Sequence, residues 1–293
     1  MRSAVRLLAW SWVALALGGG CKRWRGGAED AGVVDAGPRG PAAAEFETDD
    51  HWKLEGTLSP GAEGSTGAVL LLHQLGSNRA EWQPLVERLQ RPPAVAVLAL
   101  DLRGHGESVQ GPRSERQTWE SFGEDAALWA GLARDAAAGA QYLLTSGAAR
   151  SLVVVGSSIG ASAAVAGLAS ESHVVGLAMI SPGLAYHGLD ALAPMRAYAG
   201  AVDAGPPRTA WLIAGERDEG SAAAVAALTT EAAGITVEHA VVAGSEAHGV
   251  ALLNADATRW DALERYVREA LHAPRRALVR RAGDAAVAPD ANR

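Results

Sequence analysis

Leu152-Val153-Val154-Val155-Gly156-Ser157-Ser158-Ile159-Gly160-Ala161 is the stretch on which the reading of this chain turns. Four apolar, mostly β-branched residues run straight into Gly-x-Ser-x-Gly, and the residues that follow, Ile159 to Ala169, are small or apolar and carry no charge. An uninterrupted apolar run suits a strand covered on both faces, and a small-residue run suits a helix packed close against it. The junction is then a strand-to-helix elbow. Such an elbow puts its central serine in a strained backbone conformation and leaves no room for neighbouring Cβ atoms, which gives Gly156 and Gly160 a steric reason to be glycine. The pattern alone is weak, because glycine supplies 34 of the 293 residues. Its placement between strand and helix makes Ser158 the candidate nucleophile, with the positive end of the helix near the place where an oxyanion would develop.

Outward from the elbow, short apolar runs alternate with longer Ala-rich ones. Val69–Leu72, Ala94–Leu100, Leu152–Val155, Val174–Ile180, Trp211–Ala214 and Ile235–Val242 are expected strands. Arg79–Gln90, Trp119–Ser146, Ile159–Ser170, Ser221–Ala233 and Asp256–Leu271 are expected helices. Glu45–Thr48 and Lys53–Leu58 suggest an antiparallel pair at one edge. The sum is an α/β architecture with a mostly parallel central sheet flanked by helices, in which ligand sites lie at the carboxyl ends of strands. Residues 45–272 are expected to form one domain, with a disordered tail over 273–293.

Composition narrows the function. Lys and Arg number 26 against 33 Asp and Glu, with a net charge of -7, and no basic run is long enough to track phosphates, so nucleic acid is not an expected partner. Gly104 and Gly106 lack the third glycine of a dinucleotide fingerprint, and no phosphate loop followed by lysine occurs. No metal or organic cofactor is expected.

Two further motifs stand at strand ends: Leu71-Leu72-His73-Gln74-Leu75-Gly76, and Asp101-Leu102-Arg103-Gly104-His105-Gly106-Glu107-Ser108. With the elbow, they resemble the α/β-hydrolase family over most of residues 45–272. The family usually has His-Gly where this chain has His73-Gln74. The resemblance implies that the backbone N–H groups of Leu75 and Ile159 form the oxyanion hole. It also implies that His73, His105, Asp101 and Arg103 shape the loops around the site rather than act on substrate.

The acid and base follow from chain order. His248 lies in Gly244-Ser245-Glu246-Ala247-His248-Gly249, between the last strand and the last helix, whereas His239 falls within a strand and His272 at a helix end. Asp218 follows the preceding strand in Gly215-Glu216-Arg217-Asp218, with Glu216 and Glu219 as fallback acids. The order Ser158, Asp218, His248 is the order of this fold. In such a triad the histidine takes the serine proton, the aspartate fixes the imidazole, and the oxyanion-hole donors hold the tetrahedral intermediate, at on the order of 3 kcal/mol per donor.

About thirty residues separate Ile180 from Trp211, enough for a short helix near Leu189–Tyr198 but not for a large cap domain. Tyr186, Met195 and Tyr198 either line an acyl pocket or pack that segment onto the body. An open site suits small or medium esters, so the expected activity is that of a carboxylesterase-like serine hydrolase. Acyl-peptidase, thioesterase or acyltransferase chemistry, or a surface lipoprotein that binds without turnover, are the alternatives.

Residues 1–20 read as a signal peptide. Arg2 and Arg6 precede an uncharged, mostly apolar run from Leu7 to Leu17, and Gly18–Gly20 stand before Cys21. That run would rise about 16 Å as a helix, short of the roughly 30 Å hydrocarbon core. Cys21 is the sole cysteine, which excludes an intrachain disulfide, and its position resembles a bacterial lipoprotein acylation site. A lipidated Cys21 with a flexible linker over 21–44 would anchor an exported protein to a membrane of the cell envelope.

Overall fold

The computed structural model describes residues 40–201 and 207–273. The signal segment, Cys21 with most of its linker, and the tail beyond Ala273 lie outside the described residues.

Eight strands form one sheet: β1 (Ala42–Glu47), β2 (Lys53–Ser59), β3 (Gly67–Leu72), β4 (Ala96–Leu100), β5 (Ser151–Ser157), β6 (Val174–Ile180), β9 (Thr209–Gly215) and β10 (Thr236–Val242). Their spatial order is β1-β2-β4-β3-β5-β6-β9-β10. β1 pairs antiparallel with β2, and β2 antiparallel with β4; every pairing from β4 to β10 is parallel. β1 begins at Ala42, so ordered structure starts within the segment assigned to the linker.

Because the chain runs from β3 outward to β4 and then back past β3 to β5, the winding reverses between β3 and β5. Loops leaving their carboxyl ends diverge there and leave a crevice. The His73 loop and the elbow are those two loops.

The strands read as continuous apolar runs because helices cover both faces. Leu70, Leu72, Leu98, Leu100, Val154, Leu177, Met179 and Leu212 point to one core, whereas Val69, Leu71, Val97, Val153, Val155, Ala178, Ile180 and Ile213 point to the other. The split follows the two-residue period of a strand. The first core is closed by α3 (Leu132–Thr145), α4 (Ile159–Leu168), α5 (Leu192–Gly200) and α6 (Glu219–Glu231). The second is closed by α1 (Gln83–Leu89), α7 (Val250–Asn254) and α8 (Ala257–His272). Each fully buried Leu or Val contributes roughly 1.5–3 kcal/mol of transfer free energy. Among the described residues no helix is long and apolar enough to cross a membrane.

Three elements differ from expectation. Trp119–Ser146 is not one helix but a 3-10 turn (Trp119–Ser121), α2 (Ala126–Ala130) and α3. Gly123 takes φ 51°, Asp125 caps α2 through its carboxylate, and a Cβ on Gly131 would overlap the Arg103 guanidinium. Gly131 therefore makes room for the buried Arg103 guanidinium, whereas Gly123, with open space beside it, is glycine for its backbone. Arg79–Gln90 begins as a 3-10 turn (Arg79–Trp82) capped by Asn78, with Pro84 opening α1 behind it. The segment after β6 forms a two-residue hairpin, β7 (Ala185–Tyr186) with β8 (Leu189–Asp190), and only then α5. Between Ile180 and Thr209, the described residues contain no larger cap.

Candidate active site

The elbow is built as tightly as its glycines require. Ser158 has φ 52° and ψ −118°, a region that L residues adopt only under constraint. A Cβ at position 156 would lie 2.5 Å from the Ala161 backbone, and one at 160 would lie 2.5 Å from the His73 carbonyl oxygen. Contacts this short are not available to a real methyl group, so α4 can approach β5 and the His73 loop only with glycine at both sites. The Ser158 N–H is consumed by the Ile180 carbonyl at 2.8 Å.

Three side chains from three strand ends meet at this point. His248 Nε2 lies 2.8 Å from Ser158 Oγ, and Nδ1 of the same ring lies 2.7 Å from Asp218 Oδ2. A carboxylate only accepts, so the proton between His248 and Asp218 sits on Nδ1, leaving the Nε2 lone pair facing the serine hydroxyl. Glu216 is turned away: its carboxylate is exposed and accepts from the Gly244 N–H at 2.7 Å. Glu219 opens the first turn of α6. Neither His239, on β10, nor His272, whose Nδ1 is 2.6 Å from the Arg268 carbonyl, approaches Ser158.

Leu75 and Ile159 both line the cleft above Ser158. Among the described residues neither backbone N–H donates to another protein group. Ile159 is the first residue of α4, so its N–H lacks an intrahelical acceptor and points out of the helix start.

The cleft measures about 580 Å³ and is lined by Leu184, Ala185, Tyr186, Gly183, Ser221 and Ala223 around the Ser158–His248 pair. No Lys or Arg is among its lining residues. Of the three residues singled out after β6, only Tyr186 reaches it. Met195 and Tyr198 are fully buried in the first core, where the Tyr198 hydroxyl donates to the Thr209 carbonyl and the Arg208 guanidinium covers its ring. Those two residues pack the segment onto the body.

The remaining polar residues brace the loops. His73 is fully buried, its Nδ1–H donating to the Gln74 carbonyl at 2.8 Å and its Nε2 accepting from the Leu102 N–H at 3.0 Å. Burial pushes its pKa down to about 3 and His105 adds to the shift, so the ring stays neutral. His105 bonds the Arg103 carbonyl through Nδ1 and stacks on Trp119. Asp101 accepts from Arg79 and from the Glu107 N–H. Arg103 is buried between Asp135 and Asp50, with bonds of 2.8–2.9 Å to both. Such a buried pair is costly to break from one side only. Two contacts have no counterpart in the motifs. Gly249 N–H donates to Ser181 Oγ at 2.9 Å, and Gln74 N–H donates to Glu81 Oε1 at 3.0 Å. Among the described residues, no three His, Cys, Asp or Glu side chains are grouped to hold a metal ion.

The sheet order, with its winding reversal between β3 and β5, is that of the α/β-hydrolase fold. The alpha/beta hydrolase family model matches residues 69–293, and the chain belongs to that family. No relative is found among curated protein sequences. Solved structures share the fold at low identity. An esterase of Pyrococcus furiosus is 19% identical, with a TM-score of 0.59, 79% of this chain and 91% of that one being covered. A dienelactone hydrolase of Anabaena variabilis is 18% identical, with a TM-score of 0.51 and coverage of 78% and 98%. An alpha/beta hydrolase of Novosphingobium aromaticivorans is 14% identical, with a TM-score of 0.53 and coverage of 79% and 99%.

Proposed function

We propose that the protein is a serine hydrolase that cleaves small or medium carboxylic esters through an acyl-enzyme. The observation that carries this reading is the continuous relay Asp218–His248–Ser158, with bonds of 2.7 Å and 2.8 Å. In the first half-reaction Ser158 Oγ attacks the ester carbonyl carbon while His248 Nε2 takes the hydroxyl proton. Asp218 holds the ring by Nδ1–H and offsets the imidazolium charge. The carbonyl oxygen gains the negative charge, which the N–H groups of Leu75 and Ile159 stabilise by donating hydrogen bonds to it. Collapse of the intermediate expels the alcohol, which takes the proton from His248. Water then repeats the sequence on the acyl-serine and releases the acid.

The cleft supports an uncharged acyl group. Its volume lies within the usual range for small-molecule sites, most of its lining side chains are small or apolar, and among the described residues none that lines it is Lys or Arg. Ester cleavage on this fold is the activity named for the Pyrococcus furiosus structure. The test is labelling by a fluorophosphonate together with hydrolysis of p-nitrophenyl acetate. The wild-type protein should label and turn over, and Ser158→Ala should do neither. Retention of the wild-type rate by Ser158→Ala would end the proposal, and an unlabelled, inactive wild type would favour a binding protein.

We further propose that the enzyme is exported and anchored through an acylated Cys21, on the motif of charged start, apolar run and small residues before the cysteine. Metabolic labelling with palmitate should mark the wild type and not Cys21→Ser.

A further inference from the structure

Position 74 is glycine in the pattern that the His73 loop resembles, and glutamine here. Its side chain reaches across the site's floor. Gln74 Oε1 accepts from Ser157 Oγ at 3.2 Å and from the Val250 N–H at 3.4 Å, contacts spanning 83 and 176 residues of chain. Ser157 immediately precedes the nucleophile, and Val250 lies two residues after His248. A backbone N–H can only donate, so the Val250 contact orients the amide with its oxygen toward the elbow and base loops.

The space between the three loops is filled by this amide. A Cβ on Gly249 would overlap Gln74 Oε1 and lie 2.8 Å from Ser157 Oγ. Gly249 itself sits at φ 60° and ψ −140°, so the residue after His248 is glycine for its backbone as well as for the room that Gln74 needs. Both ends of the arrangement are tied down. Gln74 N–H is held by Glu81, and Gly249 N–H by Ser181 Oγ.

From these contacts, and resting on the hydrolase reading above, we infer that Gln74 is a positioning residue that locks the Leu75 loop to the nucleophile elbow and the His248 loop. The physical need is plain. The oxyanion donor, the nucleophile and the base hang on loops from three different strands, and a shift of about 1 Å between them costs on the order of a hundredfold in rate. A single acceptor shared by two of the loops and covalently part of the third removes that relative freedom.

The experiment compares wild type, Gln74→Leu and Gln74→Glu in the full chain, measuring kcat and KM on p-nitrophenyl acetate across pH, with thermal melting alongside. Leucine removes the acceptor at similar size, and kcat should fall about tenfold with KM within about twofold and melting near wild type. Glutamate keeps an acceptor for both donors and should recover most of kcat at alkaline pH. Its negative charge beside the base loop should move the acidic limb of kcat/KM to higher pH by favouring the imidazolium. A Gln74→Leu variant with wild-type kcat would overturn this inference alone. Equal losses in both variants, each matched by lower melting, would overturn it as well, since general destabilisation would then explain them. A wild type without turnover would overturn the hydrolase reading and this inference with it.

Discussion

A Cβ at position 160 would lie 2.5 Å from the carbonyl oxygen of His73. Gly160 is therefore the point at which α4 touches the loop that carries Leu75. Gly160→Ala should separate the two, because the Leu72 carbonyl oxygen is overlapped as well and backbone cannot move as a flexible side chain can. The expected result is a melting temperature lowered by about 5 °C or more, with fluorophosphonate labelling slowed beyond what the fraction unfolded explains. A variant that melts and labels like wild type would remove the packing argument for the elbow.

The acid is expected to be Asp218 alone. Asp218→Asn should lower kcat by about 10³–10⁴-fold, because an amide can hold the imidazole in the wrong tautomer and does not offset its charge. Glu216→Gln should stay within about threefold of wild type, since its exposed carboxylate bonds only the Gly244 N–H in the neighbouring loop. Steady-state rates on one ester decide the matter, and the opposite ranking of the two variants would move the assignment to Glu216.

Cleft size should set acyl selectivity. Ala223 is exposed and lines the cleft with Tyr186 and Leu184, so Ala223→Phe places a ring where a longer acyl chain would lie. We expect kcat/KM for p-nitrophenyl hexanoate to fall about tenfold, more than that for the acetate, because each excluded methylene forfeits about 0.8 kcal/mol. Equal effects on both esters would show that the acyl chain leaves the site in another direction.

Glu81 should make stability fall as pH rises. Burial pushes its carboxyl from 4.5 up to about 7, against the lowering effect of the nearby Ser77 side chain and of the bond from the Gln74 N–H. Among the described residues its Oε2 has no partner. The folded state thus favours the protonated acid. That preference is fully present below pH 4.5 and is lost as pH rises through about 7. Glu81→Gln keeps an acceptor for the Gln74 N–H and cannot ionise. Melting temperatures over this window should decline less in the variant than in wild type. His73 acts in the opposite sense. Its neutral ring stabilises the fold above pH 6.5, and that contribution is lost as pH falls toward about 3. Parallel melting curves for wild type and Glu81→Gln would exclude Glu81 as the titrating group.

What can be read from the residues in order is what local physics sets. An unbroken apolar run such as Leu152–Val155 needs cover on both faces. Gly156 and Gly160 flanking a serine mark a turn that tolerates no Cβ, and loops after successive strands must open on one edge of a parallel sheet. Ser158 and His248 stand out as candidates from those positions and the resembled fold, and Asp218 does so with Glu216 and Glu219 left open beside it. The tertiary structure decided what depends on distant neighbours. It turned Glu216 toward Gly244, and it buried Met195 and Tyr198 while leaving Tyr186 at the cleft. It set Gly131, between α2 and α3, against the Arg103 guanidinium, and it carried Gln74 to partners 83 and 176 residues away. Helix propensity and hydrophobic period act over a few turns of chain. The space beside a guanidinium or an amide is set by residues that the period does not see, so these features became legible only once the sheet had brought the loops together.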